Sequence, residues 1–230
     1  MIFLKDIIKK DRQLYHNALA SPADIADFVL EGQAKISFDA GRLRMENCLS
    51  PDAAQTPHFV LWCPQHFPDN VQFSFDFYPL ADLGLSMFFF AATGLSGQDI
   101  FDSALPVRDG AYAQYHSGDI NAFHVSYFRR ASVHERAFRT CNLRKSKGFF
   151  LVDQGADPLP PVADAASPYT ISVVKCAHRV LFAINDLVLF DFYDDGQQYG
   201  SLLGGGKAGF RQMAPLCAEY ANFSIHSVTV

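Results

Sequence analysis

Residues 111–149 of this chain hold a concentration of groups that could bind or transfer charge. Seven of the nineteen lysines and arginines and three of the eight histidines lie there, although the 230 residues carry a formal net charge of −5. A basic cluster that opposes the overall charge indicates a site for an anionic ligand. The planar guanidinium group matches a carboxylate through two parallel hydrogen bonds. The arginines expected to bind one are Arg129, Arg139, Arg144 and, later in the chain, Arg211. Pairing with acids such as Glu135 and Asp119 is the structural alternative.

Residues 115–121 read YHSGDIN. They combine an imidazole, a carboxylate and a phenol with a glycine that lets a ligand approach the backbone closely. We expect Tyr115 and Asn121 to bind a ligand, and His116 and Asp119 to take part in proton transfer. A turn capped by the side chains of Asp119 and Asn121 is the alternative. All of these residues except Asn121 belong to a stretch without regular period, 94–120, which is typical of a long functional loop.

Two predicted strands, 122–128 and 137–145, follow this loop. Side chains alternate between the two faces of a strand, so each of these strands has a polar and an apolar face. Placed side by side, the polar faces would present groups suited to a sugar: His124, Ser126, Thr140, Asn142 and Arg144. The apolar faces would join the core through Phe123, Val125, Cys141 and Leu143. Arg139 falls on the apolar side of its strand and is the weaker arginine candidate.

Three further residues could contact a ligand from other strands. His58 and Trp62 lie four residues apart on one predicted strand and share a face. The single tryptophan of the chain would stack on a pyranose ring, and a tryptophan in the core is the alternative. Asp76 lies on the polar side of its strand and could act as a base or bind a ligand, or simply lie at the surface.

Two reaction classes on an acidic sugar fit these residue types. Hydrolysis of a glycosidic bond needs two carboxylic acids at a set separation, and Asp76, Asp119 and Glu135 are the candidates. β-Elimination needs a cation or an amide to neutralise a uronate carboxylate, and a histidine or tyrosine to accept the C5 proton. The residues that would supply that set are His116, His124, Tyr127, Asn142 and Arg144. The sequence contains no ExDxxE, GxSxG, P-loop or HExxH pattern.

The elements that must position these residues are predicted to be strands. Residues 70–78 alternate apolar and polar side chains, and residues 85–92 are apolar on both faces, as in a central strand. Ser21 followed by Pro22 predicts a short helix over 22–28. Roughly a dozen strands, few helices and no βαβ alternation predict an all-β protein, an antiparallel β-sandwich or jelly roll. We expect residues 1–230 to form one domain.

The composition argues against several classes of protein. The five cysteines are scattered and never spaced as CxxC, so no disulfide framework, metal site or other cofactor is expected, and reduced thiols fit a cytoplasmic protein. An acidic chain without a basic tail is a poor candidate for binding duplex nucleic acid. No apolar run approaches the roughly 20 residues needed to cross a bilayer, and the first residues lack the apolar region of a secretory signal.

Several long segments resemble the YesU-type family of bacterial proteins: HFVLWCP, YHSGDINAFHVSYFRR, ERAFRTCNLRKSKGF, GADPLP and GKAGFRQMAP. The resemblance extends from about residue 15 to the C-terminus. It implies a jelly roll of the concanavalin A-like lectin and glucanase type. It also implies a role in carbohydrate processing, because the family's named member is associated with the use of rhamnogalacturonan, a uronate-containing pectin. It implies no catalytic residues.

Together these observations predict a protein that acts on a uronate-containing oligosaccharide by lyase or glycoside hydrolase chemistry. In this interpretation Arg144 and Asn142 hold the carboxylate, and His116 or His124 handles the proton. The alternative is a non-catalytic carbohydrate-binding protein. A third possibility is an oligomer-forming protein, since apolar residues such as Phe88, Phe89 and Phe90 could support a homo-oligomer.

Overall fold

The computed structural model describes residues 1–48 and 58–230, which form two stacked sheets. Seven strands of the eight-stranded sheet lie side by side in the order β13 (Leu187–Tyr193), β12 (Arg179–Ile184), β11 (Tyr169–Cys176), β6 (Val71–Pro79), β15 (Cys217–Thr229), β4 (Leu43–Asn47) and β3 (Ala34–Ser37). The eighth strand, β1 (Lys9–Asn17), pairs with the second half of β15. The seven-stranded sheet consists of β10 (Phe150–Ala156), β9 (Thr140–Ser146), β8 (Ile120–Tyr127), β7 (Leu85–Gly94), β14 (Lys207–Met213), β5 (Phe59–Trp62) and β2 (Val29–Gly32). Neighbouring strands are antiparallel throughout, which confirms the predicted sandwich.

Helical structure is confined to short turns in the described part of the chain. The α-helices are α1 (Ala113–His116) and α2 (Val133–Ala137), and the 3-10 turns span Leu4–Asp6, Pro22–Ile25 and Val162–Asp164. The helix predicted over 22–28 is therefore a single 3-10 turn, stabilised where the Asp24 carboxylate accepts the Ser21 backbone N–H at 2.9 Å. Among the described residues, no helix is long and apolar enough to cross a membrane.

Phenylalanine rings from both sheets fill the space between them. The alternation predicted for β6 is confirmed, because Phe73, Phe75 and Phe77 all lie in the main core cluster. From the opposite sheet Phe88 and Phe210 meet Phe75, with ring centroids 5.1 and 5.0 Å away. Offset and edge-on pairs of this kind add favourable ring–ring interaction to the burial of apolar surface. This core fixes which side chains of the seven-stranded sheet point outward.

Residues 95–119, named the strap here, cross the outer face of the seven-stranded sheet. Ile100 and Tyr115 of the strap pack with Trp62 and Phe89 in a second apolar cluster. Gly110, at a φ of +98°, lies so close to the His58 carbonyl that a Cβ would clash with it, which makes glycine necessary there. Because the strap covers this face, β7 is apolar on both sides, as its sequence predicts.

Candidate functional site

Where the strap is docked, the face of the seven-stranded sheet is closed to a ligand. Trp62 is completely buried, and its Nε1 donates to Glu31 Oε2 at 2.9 Å. Glu31 also pairs with Arg108 of the strap at 2.6 Å. The expectation that Trp62 stacks on a sugar ring is therefore corrected, because the strap occupies the position that the sugar would need.

Three other predicted ligand-binding residues are also enclosed beneath the strap. Tyr115 is fully buried and accepts the Gly110 N–H at 3.2 Å. His58 is 8% exposed, and burial, with the nearby charge of Arg211, lowers the pKa of its imidazole to about 4. Arg211 is fully buried, with the rings of Tyr112 and Tyr115 about 5 Å from its guanidinium group. The prediction that these three side chains contact a ligand directly is corrected as well, because the strap covers them.

The part of the face beyond the strap remains open as a cleft of about 200 Å³. We call it the β8–β9 cleft, since these strands form its floor. Its lining combines three apolar side chains, two rings, two arginines, one carboxylate, one amide and one hydroxyl: Leu85, Met87, Met213, Tyr112, Phe149, Arg129, Arg144, Glu135, Asn142 and Ser126.

The predicted alternation of polar side chains on β8 and β9 is confirmed. His124 lies directly opposite Arg144, and Ser126 lies opposite Asn142, so these four belong to one face of the sheet. The intervening side chains belong to the core: Phe123, Val125, Cys141 and Leu143. The alternation therefore brings Ser126, Asn142 and Arg144 together in the cleft.

Arg144 carries a charge that its protein neighbours do not neutralise. Its Nη1 donates to the Phe149 carbonyl at 2.9 Å, and its guanidinium lies 4.0 Å from the centroid of the Phe149 ring. The His116 imidazole stacks on the same ring at 4.1 Å, so that Phe149 lies between the two groups. Within residues 1–48 and 58–230, no carboxylate lies within ion-pair distance of Arg144. Burial lowers the pKa of this guanidinium, which reflects the cost of desolvating the charge.

Arg129, in contrast, already has an anionic partner. Its Nη2 donates to Glu135 at 2.9 Å, and its Nη1 donates to Thr140 Oγ1 at 2.7 Å. Glu135 is fixed in turn by the capping box of α2, in which its carboxylate accepts the backbone N–H of the N-cap residue Ser132 at 3.0 Å. For Arg129 the structure thus shows the ion pair that stood as the alternative to ligand binding.

Tyr112 joins the cleft to a buried histidine and was not among the residues predicted from the sequence. Its hydroxyl lies 2.8 Å from Nε2 of His124, which is completely buried. Burial lowers the pKa of His124 to about 3, so the imidazole is neutral near pH 7. Burial raises the pKa of Tyr112 to about 12, while the charges of Arg211, Arg144 and Arg129 oppose that shift. The signal that could have found Tyr112 is its position three residues before Tyr115, one turn away on the same short helical segment.

The remaining predicted site residues lie away from the β8–β9 cleft. Tyr127 is fully buried in the core between the sheets, because it occupies the inward parity of β8. Asp76 lies on the other sheet, where it accepts from Asn222 Nδ2 at 2.7 Å. Asp119 is exposed in the strap, and Arg139 is exposed just before β9. Asn121 lines a separate pocket at the other end of β8. Roles in the cleft with Arg144 are therefore corrected for Tyr127, Asp76, Asp119 and Arg139, which do not line it. Ligand binding by Asn121 stays a prediction, for the separate pocket.

His116 remains at the margin of the cleft. Its Nδ1 lies 2.7 Å from the Ser117 hydroxyl, and burial lowers the pKa of its imidazole. It contacts the cleft through the ring of Phe149 and is not itself part of the lining. In the described part of the chain, no cluster of three or more histidines, cysteines or acids is placed to hold a metal ion.

Comparisons with known proteins show both the family and the fold. A model of the family described as domain of unknown function DUF1961 matches residues 12–225. The chain is 50% identical over 218 residues to the uncharacterized protein YesU of Bacillus subtilis (strain 168), covering 95% of this chain and 97% of that protein. A crystal structure of a protein of unknown function with a galectin-like fold, from Bacillus subtilis, has a TM-score of 0.94 at 48% identity and covers 97% of this chain and 99% of that one.

More distant structures show the fold alone. The carbohydrate-binding module CBM66 from Bacillus subtilis has a TM-score of 0.53 at 11% identity, over 87% of this chain and 95% of its own. A β-glucanase from Bacillus licheniformis has a TM-score of 0.56 at 10% identity, over 95% of this chain and 99% of its own. The fold is therefore one that carbohydrate-binding and carbohydrate-cleaving proteins share. Because the family model covers almost the whole sequence and YesU is identical at half of the aligned positions, the chain belongs to the DUF1961 family.

Proposed function

We propose that this protein acts on a uronate-containing oligosaccharide, whose carboxylate is bound in the β8–β9 cleft by Arg144. The observation that carries the proposal is the guanidinium group of Arg144, which faces the cleft without an acidic partner in the described part of the chain. A partly buried charge without a counterion is costly, and a ligand carboxylate would remove that cost. Asn142 and Ser126 lie beside it as hydrogen-bonding groups for the sugar.

The cleft favours β-elimination over hydrolysis. Of the described residues that line the cleft, only Glu135 is a carboxylate, and it is held by Arg129 and the cap of α2. Glycoside hydrolysis by the usual route requires two. Elimination requires a group that accepts the C5 proton beside a cation that stabilises the resulting negative charge. The Tyr112–His124 pair and Arg144 have that arrangement.

In the proposed reaction His124 accepts the phenolic proton while the Tyr112 oxygen removes the proton from C5. The electron pair of the C5–H bond forms the C4–C5 double bond, and the bond from C4 to the glycosidic oxygen breaks. The proton returns through Tyr112 to the leaving oxygen, so that no other reactant is consumed. Because burial lowers the pKa of His124 to about 3, its imidazole is neutral near pH 7 and its Nε2 can accept the hydrogen bond of the Tyr112 hydroxyl. The same shift makes the imidazole a weak base, which adds to the cost of this proton transfer.

A non-catalytic carbohydrate-binding protein is the second candidate. The observation that favours it is the burial of Tyr112, which raises the pKa of its phenol to about 12 and makes deprotonation costly.

A cytoplasmic location, a single domain and assembly into a homo-oligomer remain predictions from the sequence.

The reaction is tested by incubating the protein with saturated rhamnogalacturonan oligosaccharides. Ultraviolet absorbance of an unsaturated uronate and the formation of reducing ends are followed together. New absorbance with new reducing ends supports the lyase, and reducing ends alone support a hydrolase. Binding without turnover supports the carbohydrate-binding protein. If none of these oligosaccharides binds or reacts, the proposal is wrong.

A further inference from the structure

A second pocket, of about 430 Å³, opens at the other end of β8 and β9. We propose that this pocket is a subsite for another sugar residue of the same acidic oligosaccharide; the inference rests on the proposed function. Residues 145–147 at the end of β9 form one wall, and the glycine-rich segment 199–205 forms another. Asn121, predicted to bind a ligand, lies between them at the start of β8. The volume is within the range of small-molecule binding sites.

An unsatisfied hydroxyl points to a ligand in this pocket. Ser146 lines the pocket and is 1% exposed, and its Oγ has no hydrogen-bond partner in the part of the chain that the structure describes. A buried polar atom without a partner costs free energy that a hydrogen bond would recover. Ser146 also lies two and four residues after Arg144 and Asn142, so it shares their face of β9. The row of polar side chains that begins in the β8–β9 cleft thus continues into the second pocket.

Among the residues that the structure describes, the charges around the pocket leave one cation for an acidic ligand. Lys145 is neutralised by Asp194 at 2.7 Å, and Lys207 by Asp99 at 2.9 Å. Lys145 also donates to the Gly200 carbonyl at 2.9 Å, which fixes the glycine-rich wall. Lys147 is exposed at the pocket and has no ion pair among the described residues. We therefore expect the ammonium group of Lys147 to form an ion pair with the acidic group of the bound sugar residue.

One glycine of the pocket is not explained by the fold. At Gly205 a Cβ would clash with the Phe67 carbonyl, so packing requires glycine there. At Gly204 the φ angle is not left-handed, and a Cβ would meet nothing within 4 Å. Gly204 therefore keeps space open, which suits close approach of a ligand to the backbone. Tyr199 adds an aromatic wall, and its ring is held against that of Phe150 at 5.5 Å.

The two pockets are spaced for one extended ligand. The cross-strand pair Ser126 and Asn142 lies in the cleft, and the pair Ala122 and Ser146 lies four residues further along the same two strands. At a rise of roughly 3.3 Å per residue this separation is about 13 Å, which is longer than one pyranose ring. A single sugar would therefore fill only one pocket. Because Ala122 and His124 are buried under the strap between the two pockets, an oligosaccharide that fills both would pass over the strap.

The test measures how affinity depends on ligand length. Rhamnogalacturonan di-, tetra-, hexa- and octasaccharides are titrated calorimetrically into the intact wild-type protein and into Gly204→Trp, whose indole would fill the second pocket. For the wild type we expect affinity to rise about tenfold as the ligand becomes long enough to reach that pocket, as one or two added hydrogen bonds would give. Gly204→Trp should remove this increase and leave the affinity for the shortest ligand unchanged. Val230→Trp, at an exposed position just after β15 of the other sheet, is the control and should behave like the wild type.

The outcomes separate this inference from the proposed function. If the affinity of the wild type does not rise with length, or if Gly204→Trp retains the full rise, the second subsite is wrong. Ser146→Ala should reduce the same rise, and its thermal unfolding midpoint reports whether the fold is intact. If short ligands bind to the wild type but not to a variant that lacks Arg144, carboxylate binding in the β8–β9 cleft is supported. That conclusion does not depend on how affinity changes with ligand length. If no ligand of any length binds, the proposed function fails and the subsite falls with it.

Discussion

At the scale of single residues, the buried imidazole of His124 makes stability depend on pH. Its pKa is about 3 in the folded protein, against about 6.5 in an unfolded chain. Below pH 6.5 the unfolded state therefore binds more protons, and stability falls as the pH decreases toward 3. Between pH 6.5 and pH 5 the loss from this one group is about 2 kcal/mol.

His124→Gln should remove that part of the pH dependence. Urea unfolding of the variant and of the wild type at pH 6.5 and pH 5 measures it, with His134→Gln, at an exposed position on α2, as the control. An equal loss of stability on acidification in wild type and His124→Gln would contradict the assignment of a neutral, buried histidine.

Tyr112→Phe tests the proposed proton transfer. The variant keeps the ring that covers Arg211 but loses the hydroxyl bound to His124. If the protein is a lyase, turnover should fall by about 100-fold or more, as for other general acid–base groups, while ligand affinity changes less than about threefold. Steady-state kinetics and calorimetry on the same preparation give both values. Unchanged turnover in Tyr112→Phe would exclude the tyrosine as the proton carrier.

The alternation of side chains along a strand is enough to predict which residues of β8 and β9 share a face. The parity of β8 and β9 is a local property, so it placed Ser126, Asn142 and Arg144 correctly on one face. It could not show that Trp62 is covered, because that depends on a strap that comes more than thirty residues later in the chain. The same alternation places Tyr127 in the core with Phe123 and Val125, which argues against the catalytic role predicted for Tyr127.

At the scale of elements, the strap is the feature that limits the site. It is anchored by the ion pair of Arg108 with Glu31, both less than 10% exposed, and by the apolar contacts of Ile100 and Tyr115. Removing one partner of such a pair leaves a buried charge and typically costs about 3–5 kcal/mol. The single tryptophan, Trp62, lies directly beneath the strap and is hydrogen-bonded to the Glu31 carboxylate. Its fluorescence therefore reports whether the strap is docked on the sheet.

We expect Arg108→Ala to loosen the strap while the sheets remain folded. Acrylamide should quench Trp62 fluorescence more strongly in the variant, with a shift of the emission to longer wavelength. Arg42→Ala, which breaks an ion pair with Glu219 on the other sheet, is the matched control and should leave quenching unchanged. Equal quenching in Arg108→Ala and wild type would mean that the ion pair does not hold the strap.

The strands were largely predictable, but their order in the sheets was not. Alternation in β6 and the apolar run of β7 follow directly from their sequences. The insertion of β14 between β5 and β7 joins segments more than a hundred residues apart, and no local pattern encodes it. The sequence predicts a long loop over 94–120, whereas only the structure shows that this loop packs on the sheet.

At the scale of the whole molecule, one aromatic core connects both sheets. Phe75 of β6 contacts Phe88, Phe210 and Tyr220, which belong to three other strands of the two sheets. A core shared in this way predicts that the two sheets unfold together as one domain.

Calorimetry tests this prediction. We expect a single thermal transition in which the calorimetric and van't Hoff enthalpies agree. Phe75→Ala should lower the midpoint of that one transition, at a cost of about 3–5 kcal/mol, whereas Phe138→Ala, at a position 73% exposed, should change it little. Two separate transitions would contradict the single domain.

The most direct test of the central claim combines Arg144 with the ligand carboxylate. A uronate-containing oligosaccharide and its carboxyl-reduced counterpart are titrated into wild type, Arg144→Ala and the control Arg179→Ala, whose arginine pairs with Asp191 on the other sheet. If Arg144 binds the carboxylate, reduction should weaken binding to the wild type and to Arg179→Ala by about 10- to 100-fold, as loss of a charge-assisted hydrogen bond does. Reduction should then have almost no effect on binding to Arg144→Ala. An equal loss on reduction in all three proteins would contradict the claim that Arg144 recognises the acidic sugar.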